Sequence, residues 1–60
     1  MTKGDRVWIS PQGVVLKGTV LAADIDWDGE KMVLIRYDED TPARRPYTLW
    51  PENDVQTDQL

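Results

Sequence analysis

Aromatic and acidic side chains are the groups in this chain whose types and spacing could form a binding site. Tyr37 is followed at once by Asp38 and Glu39, and an aromatic ring beside carboxylates can hold a cation or a basic partner. Aromatic rings also offer much contact area for little loss of rotamer freedom, which makes them common interface anchors. We therefore predict one binding surface built from six residues: Trp8, Tyr37, Asp38, Glu39, Tyr47 and Trp50. We expect Trp8 and Trp50 to lie outside the core, Trp50 because a large ring is hard to enclose at the end of a strand. The Tyr37 ring should point inward, with its hydroxyl at the rim where the acidic loop begins.

The composition removes the commonest forms of catalysis. The 60-residue chain has no histidine and no cysteine. It therefore lacks the usual general base, a thiol nucleophile and the preferred zinc ligands. It also has no Walker loop, no glycine-rich dinucleotide fingerprint and no nucleophile elbow. We predict no catalytic residues, no cofactor and no metal site.

Two further motifs have simpler interpretations. The run from Asp24 to Gly29 matches the first half of an EF-hand loop, but Ile35 stands where the bidentate glutamate belongs. We interpret this run as a solvated hairpin turn, with Asp28-Gly29 supplying the residues of positive φ. Arg44-Arg45 is a basic pair that could reach a phosphate or carboxylate. We interpret it as a solvated loop that offsets the acids nearby.

The chain is long enough for one domain only, residues 1–60, and its turn signals recur every eight to twelve residues. Such spacing is typical of a small all-β barrel or sandwich. The predicted strands cover residues 5–10, 17–23, 31–37, 47–50 and 55–56. Pro51 to Asp54 predicts a single 3₁₀ turn before the last strand. The ordered core should span about 4–56, with a frayed tail over 57–60.

Alternation within these strands predicts the core and the outer side of the sheet. The predicted core residues are Val7, Ile9, Val20, Val33, Ile35 and Leu49. Gly18 indicates a bulge or a close approach of two backbones. Met32 and Leu34 should then face outward, where either the segment 14–16 or another copy of the chain would cover them.

Charge and hydropathy restrict the kinds of binding partner and the cellular location that we expect for the protein. The net charge is −4, and residues 24–40 carry seven acidic against two basic side chains, for a local charge of −5. This distribution disfavours a nonspecific nucleic-acid binder. No apolar run is long enough to span a bilayer, and the N-terminus lacks the apolar core of a signal peptide. We expect a cytoplasmic protein without membrane contact.

The order of short motifs resembles the SH3-like barrel found in KOW, Tudor and related small domains. The motifs are "GDRVWI", "KGTVL", "VLIRYDED", "YTLW" and "PENDV", which cover roughly residues 4–56. The resemblance implies a five-stranded SH3-like barrel with a 3₁₀ turn before a short last strand. A fold of this kind hosts many functions, so the resemblance leaves the function open.

A narrower resemblance is to the plasmid-borne type II dihydrofolate reductases, which are also SH3-like barrels. In that family "GDRV" precedes a ligand-binding lysine, and a later strand carries Gln-Ile-Tyr-Pro along a tetrameric pore. Here Trp8-Ile9 occupy the place of the lysine, and Thr48 to Pro51 stand where the pore motif belongs. The resemblance implies a shared architecture, and we expect no reductase activity.

The sequence therefore leaves three functional hypotheses. The first is a noncatalytic SH3-like module that binds a protein or peptide, preferably a basic one, and that can form a homo-oligomer. The second is an oligomeric enzyme similar to type II dihydrofolate reductase. The third is a KOW-like contact with nucleic acid or the ribosome, which the acidic charge disfavours.

Overall fold

The computed structural model describes residues 1–58 and contains five strands and two 3₁₀ turns. The strands are β1 (Arg6–Ile9), β2 (Leu16–Trp27), β3 (Glu30–Tyr37), β4 (Tyr47–Pro51) and β5 (Gln56–Thr57). The predicted 3₁₀ turn before the last strand is present at Glu52–Asp54, and a second one lies at Pro11–Gly13, between β1 and β2. No helix in residues 1–58 is long and apolar enough to cross a membrane.

The strands form one antiparallel sheet in the order β4-β3-β2-β1-β5. The predicted all-β class is therefore confirmed, and the order is compatible with an SH3-like fold. Closure of the sheet into a barrel is not found within residues 1–58, because the edge strands β4 and β5 do not pair with each other.

The hairpin between β2 and β3 is the one that the sequence predicted. Asp28 and Gly29 connect Trp27 to Glu30, with φ angles of 54° and 81°. Positive φ at both central residues is the requirement of a type I′ turn, whose twist matches that of the flanking strands. This turn sets the register in which Trp27 pairs with Glu30.

Strand β2 is longer than predicted and continues to the hairpin. We predicted its end at about residue 23, because we interpreted the run from Asp24 to Gly29 as a hairpin turn. The structure carries it to Trp27 through two shifts of register against β3, between Val20 and Ala22 and between Ala22 and Ile25. Such irregularities add residues to one strand of a pair and bend it. Asp24, with a φ of 57°, lies in the second irregular stretch.

The core consists of six aliphatic side chains that are nearly free of solvent contact: Val7, Ile9, Val20, Val33, Ile35 and Val55. Five of them were predicted, and Leu49 was wrong. Leu49 pairs with Leu34, and directly opposed residues point to the same side of a sheet. It therefore lies on the outer side, half-buried, while Val55 fills the core after the Glu52–Asp54 turn.

The C-terminal segment pairs with β1 up to the end of the described residues. Thr57, which we assigned to the tail, lies in β5 opposite Val7. The amide of Asp58 donates to the carbonyl of Arg6 at 2.8 Å. Residues 59–60 of the predicted tail lie outside the described residues.

Candidate functional site

Tyr37, Thr48 and Trp50 form a hydrogen-bonded cluster on the core side of the sheet. Thr48 is opposite Ile35, and Trp50 is opposite Val33, so β4 presents both to the side on which β3 is buried. The indole Nε1 of Trp50 donates to the Tyr37 hydroxyl at 2.6 Å and to Thr48 Oγ1 at 2.9 Å. The Tyr37 hydroxyl and Thr48 Oγ1 are themselves hydrogen-bonded. The cluster joins the end of β3 to the edge strand β4.

This arrangement differs from the sequence-based expectation for Tyr37 and Trp50. We expected Trp50 to lie outside because a large ring at a strand end is hard to enclose. Instead, both rings are half-buried and pack against the core. The Tyr37 ring does point inward as expected. Its hydroxyl bonds to Thr48 and Trp50 on β4, whereas we expected it at the rim beside the acidic loop.

Trp8 and Tyr47 lie on the opposite, outer side of the sheet. Trp8 is opposite Lys17 on β2 and Gln56 on β5, as its alternation with Val7 and Ile9 predicted. Tyr47 is opposite Arg36 and is 55% exposed. The structure therefore does not bring the six predicted residues onto one surface.

Asp38 is held by a residue distant in sequence. The guanidinium of Arg6 donates to both carboxylate oxygens, with Nη1 at 2.7 Å from Oδ1 and Nη2 at 2.5 Å from Oδ2. The hydrogen bond from Arg6 lowers the pKa of Asp38 below its ordinary value, and the same bond raises the pKa of Arg6. Stability from this pair is therefore present above the unfolded-state pKa of Asp38 and is lost as the carboxylate is protonated at lower pH. The pair is largely solvated, so its contribution is small.

The loop 38–46 is closed by backbone contacts at its base. The amide of Tyr37 donates to Pro46 O at 2.8 Å, and the amide of Asp38 donates to Lys17 O at 2.9 Å. Within the loop, the Thr41 hydroxyl donates to Lys17 O at 3.3 Å. The start of β2 therefore fixes the position from which the acidic run departs.

A surface depression of about 640 Å³ opens beside this loop. Apolar, aromatic and acidic residues and one arginine line it together: Thr19, Leu21, Arg36, Tyr37, Asp38, Glu39 and Asp40. Because Arg6 already engages Asp38, the exposed carboxylates of Glu39 and Asp40 are the ones open to a ligand. Three of the predicted site residues, Tyr37, Asp38 and Glu39, therefore share one concave surface.

A second depression of about 330 Å³ adjoins the first and shares Arg36 to Glu39 with it. Three arginines, Arg36, Arg44 and Arg45, line it together with part of the loop. Within residues 1–58, none of the three forms an ion pair. The basic pair that we interpreted as a solvated loop therefore lines a depression together with Arg36, Asp38 and Glu39.

Sequence reasoning missed Arg6, Leu21, Arg36 and Thr48 as members of this region. Arg36 and Thr48 were identifiable only through strand register, since their roles depend on which residues they oppose. The "GDRV" motif does contain Arg6, but nothing in the sequence links it to Asp38, 32 positions later.

The fold and these depressions define a small antiparallel all-β domain with charged pockets at one loop. No family model matches the chain, and neither a curated protein nor a solved structure matches it significantly. Arguments about its function therefore rest on its own residues.

The half-buried position of Trp50 predicts that its removal affects folding. Trp50→Ala is expected to lower the free energy of unfolding by about 1–3 kcal/mol, below the cost of a fully buried aromatic ring, because part of the indole is exposed. Chemical denaturation would measure it. Trp50→Phe keeps much of the packing and removes the Nε1 donor, so it should cost less. Tyr47→Ala, an exposed ring on the same strand, is the matched control. A loss no greater in Trp50→Ala than in Tyr47→Ala would contradict the prediction.

Proposed function

We propose that the protein is a noncatalytic SH3-like binding module that recognises a protein or peptide segment through the depression beside the loop 38–46. The observation that carries the proposal is that the exposed acids Glu39 and Asp40 line the same depression as Leu21 and Tyr37. A lysine or arginine side chain suits such a site, because its aliphatic stem packs on apolar surface while its charged head stays near carboxylates and water.

Charge supports a basic partner over an acidic one at this depression. The Asp38 carboxylate is engaged by Arg6, which leaves Glu39 and Asp40 to attract a cation. Exposed acids of this kind raise the rate of encounter more than they tighten the final complex. We therefore expect affinity to come mainly from the buried stem and affinity for basic sequences to fall as salt rises.

The adjoining arginine-lined depression favours a partner that also carries an acidic group. Arg36, Arg44 and Arg45 can donate in bidentate fashion to a carboxylate or phosphate. This is the one observation in favour of the nucleic-acid hypothesis, and the net charge of −4 weighs against it. Nothing in the arrangement favours the reductase hypothesis.

The test uses fluorescent decapeptides in a binding titration. One set contains lysine or arginine among aliphatic residues, a second contains glutamate at the same positions, and a single-stranded RNA of similar length is the third probe. We expect saturable binding of the basic set, weakened severalfold by Glu39→Gln combined with Asp40→Asn. Amide NMR signals of Leu21, Tyr37 and Glu39 should shift during the titration.

Asp26→Asn combined with Asp28→Asn supplies the control, because it removes two exposed acids at the distant hairpin. Equal weakening in both double variants would mean that net charge, and not this depression, attracts the peptide. Saturable binding of RNA in preference to all peptides would replace the proposal with the nucleic-acid hypothesis. Failure of every probe to bind would reject this site as a peptide site.

A further inference from the structure

The outer side of β2, β3 and β4 carries two adjacent rows of apolar side chains. Register places Ile25, Met32 and Pro51 in one row, and Ala22, Leu34 and Leu49 in the next. All six are only half-buried, and none belongs to the core cluster. Contiguous apolar surface on a sheet face commonly marks an interaction site.

The segment 14–16 does not cover these rows. Leu16 begins β2 opposite Ile9 and packs on the core, whereas Ala22 and Ile25 lie much further along the same strand. Val14 and Val15, the other two residues of the segment, are each 49% exposed. The sequence suggested that either this segment or another copy of the chain covers Met32 and Leu34. The segment is therefore excluded, and another copy of the chain remains.

Charges at the two ends of the rows have opposite sign. Along the outer side of β3 the side chains run Glu30, Met32, Leu34 and Arg36, from the hairpin to the loop. Glu30 and Arg36 are both exposed, and neither forms an ion pair with any residue among 1–58. The outer side of β3 thus carries an acid at one end, apolar groups in the middle and a base at the other end, where Arg36 borders the depression that holds Glu39 and Asp40.

We propose that this surface is the interface of a twofold symmetric homodimer. The twofold axis would lie between the two sheets, perpendicular to the strands, at the level of Val33. Each β3 then packs antiparallel against β3 of the other copy. This packing sets Met32 against Leu34 of the other copy and Glu30 against Arg36. A symmetric dimer requires a surface that is complementary to itself. The order of charged and apolar side chains along β3 meets this requirement, because reversing its direction pairs acid with base and apolar with apolar groups. Sheets that pack face to face keep their strands within about 30° of each other, which preserves these contacts near the axis.

The same axis also matches the neighbouring strands. Trp50 pairs with Val33, so rotation about that level sets Leu49 against Pro51 of the other copy. On β2, the level of Val33 falls between Ala22 and Ile25, which then oppose each other. The dimer therefore sets each apolar row against the other row of its copy. It uses β3 between residues 30 and 36 and shares only Arg36 with the lining of the peptide site proposed above, whose attraction for a base depends on Glu39 and Asp40.

Charge reversal tests the pairing directly. Analytical ultracentrifugation over a wide range of protein concentration should show a monomer of 6.9 kDa converting to a species of twice that mass. Glu30→Arg and Arg36→Glu should each weaken self-association about tenfold or more, because each creates two like-charge contacts at the interface. The double variant with both changes restores opposite charges and should restore dimerisation.

Two further variants complete the design. Leu34→Glu should abolish dimerisation with an unchanged circular dichroism spectrum, because Leu34 is outside the core. Lys17→Glu makes the same change of charge as Arg36→Glu but lies beside Trp8, beyond the rows; it should leave dimerisation unchanged. A protein that stays monomeric at every concentration would overturn the proposal. So would a dimer that is indifferent to Leu34→Glu, or single reversals that the double variant does not rescue.

Discussion

Gly18→Ala is expected to remove most of the stability of the domain. A methyl group at this position would collide with the carbonyl oxygen of Arg36 and lie 2.7 Å from Cγ2 of Ile35. The first of these atoms belongs to the backbone of β3, which is paired on both sides and cannot move without breaking its pairing with β4. Overpacking of a core costs about 1–3 kcal/mol and more where the neighbour is rigid.

The magnitude matters because the whole domain has little stability to lose. A 60-residue chain is expected to be stable by about 3–9 kcal/mol, and no disulfide supports this one. A collision with backbone would consume most of that margin. Thermal unfolding followed by circular dichroism would show a midpoint lowered by more than 10 °C, by the usual conversion of about 4–8 °C per kcal/mol.

Gly29→Ala is the matched control for this substitution. Gly29 has open space around its Cα but a φ of 81°, so alanine there is strained without any collision. Strain of this kind costs about 1 kcal/mol or somewhat more. We therefore expect a clear order of stability: wild type, Gly29→Ala, then Gly18→Ala. A Gly18→Ala protein as stable as Gly29→Ala would mean that β2 and β3 approach less closely than described.

Features with a local cause were predictable from the sequence. The close approach at Gly18 follows from a glycine inside a strand, and the hairpin follows from Asp28-Gly29 between two apolar runs. Strand β3 was predicted almost to the residue, because Val33 and Ile35 alternate with neighbours over eight residues.

Two kinds of feature were not predictable: which residues of a short strand face the core, and which strands pair over long distances in the sequence. Strand β4 has only five residues, and both Leu49 and Trp50 are apolar, so alternation does not decide which faces the core. The wrong choice placed Leu49 inside and Trp50 outside. The length of β2 was missed because irregular pairing lets polar residues such as Asp24 remain within the path of a strand.

The kinds of residue in the candidate site were predictable from the sequence, but their arrangement in space was not. Aromatic and acidic residues near Tyr37 were identified from their types, and Tyr37, Asp38 and Glu39 do line one depression. Trp8 and Tyr47 lie on the other side of the sheet from the Tyr37 ring. Alternation within a single strand does not show which residues of different strands share a side, so this separation could not be predicted. The apolar outer rows became visible only through register, although Met32 and Leu34 already indicated an outward apolar pair.

Ile35→Ala should lower the free energy of unfolding by about 2–5 kcal/mol, the usual cost of truncating a buried isoleucine. Ile35 is 1% exposed and lies at the centre of the sheet, opposite Val20 on β2 and Thr48 on β4. Truncation there leaves a cavity that neither neighbouring strand can close without losing its own pairing. Chemical denaturation would measure the loss, and at the upper end of the range the protein would not fold.

The matched control is Leu34→Ala, the adjacent residue on the outer side of the same strand. Leucine and isoleucine lose the same number of carbon atoms on truncation, so the comparison isolates the side of the sheet. Leu34 is half-buried, so its truncation removes less buried apolar surface than truncation of Ile35. We therefore expect Leu34→Ala to cost about 1 kcal/mol in the monomer. Both variants should be measured at high dilution, so that self-association through the outer rows does not add to the stability of the reference. Equal losses at Leu34 and Ile35 would show that the two sides of β3 are buried alike, which would contradict the arrangement of this sheet.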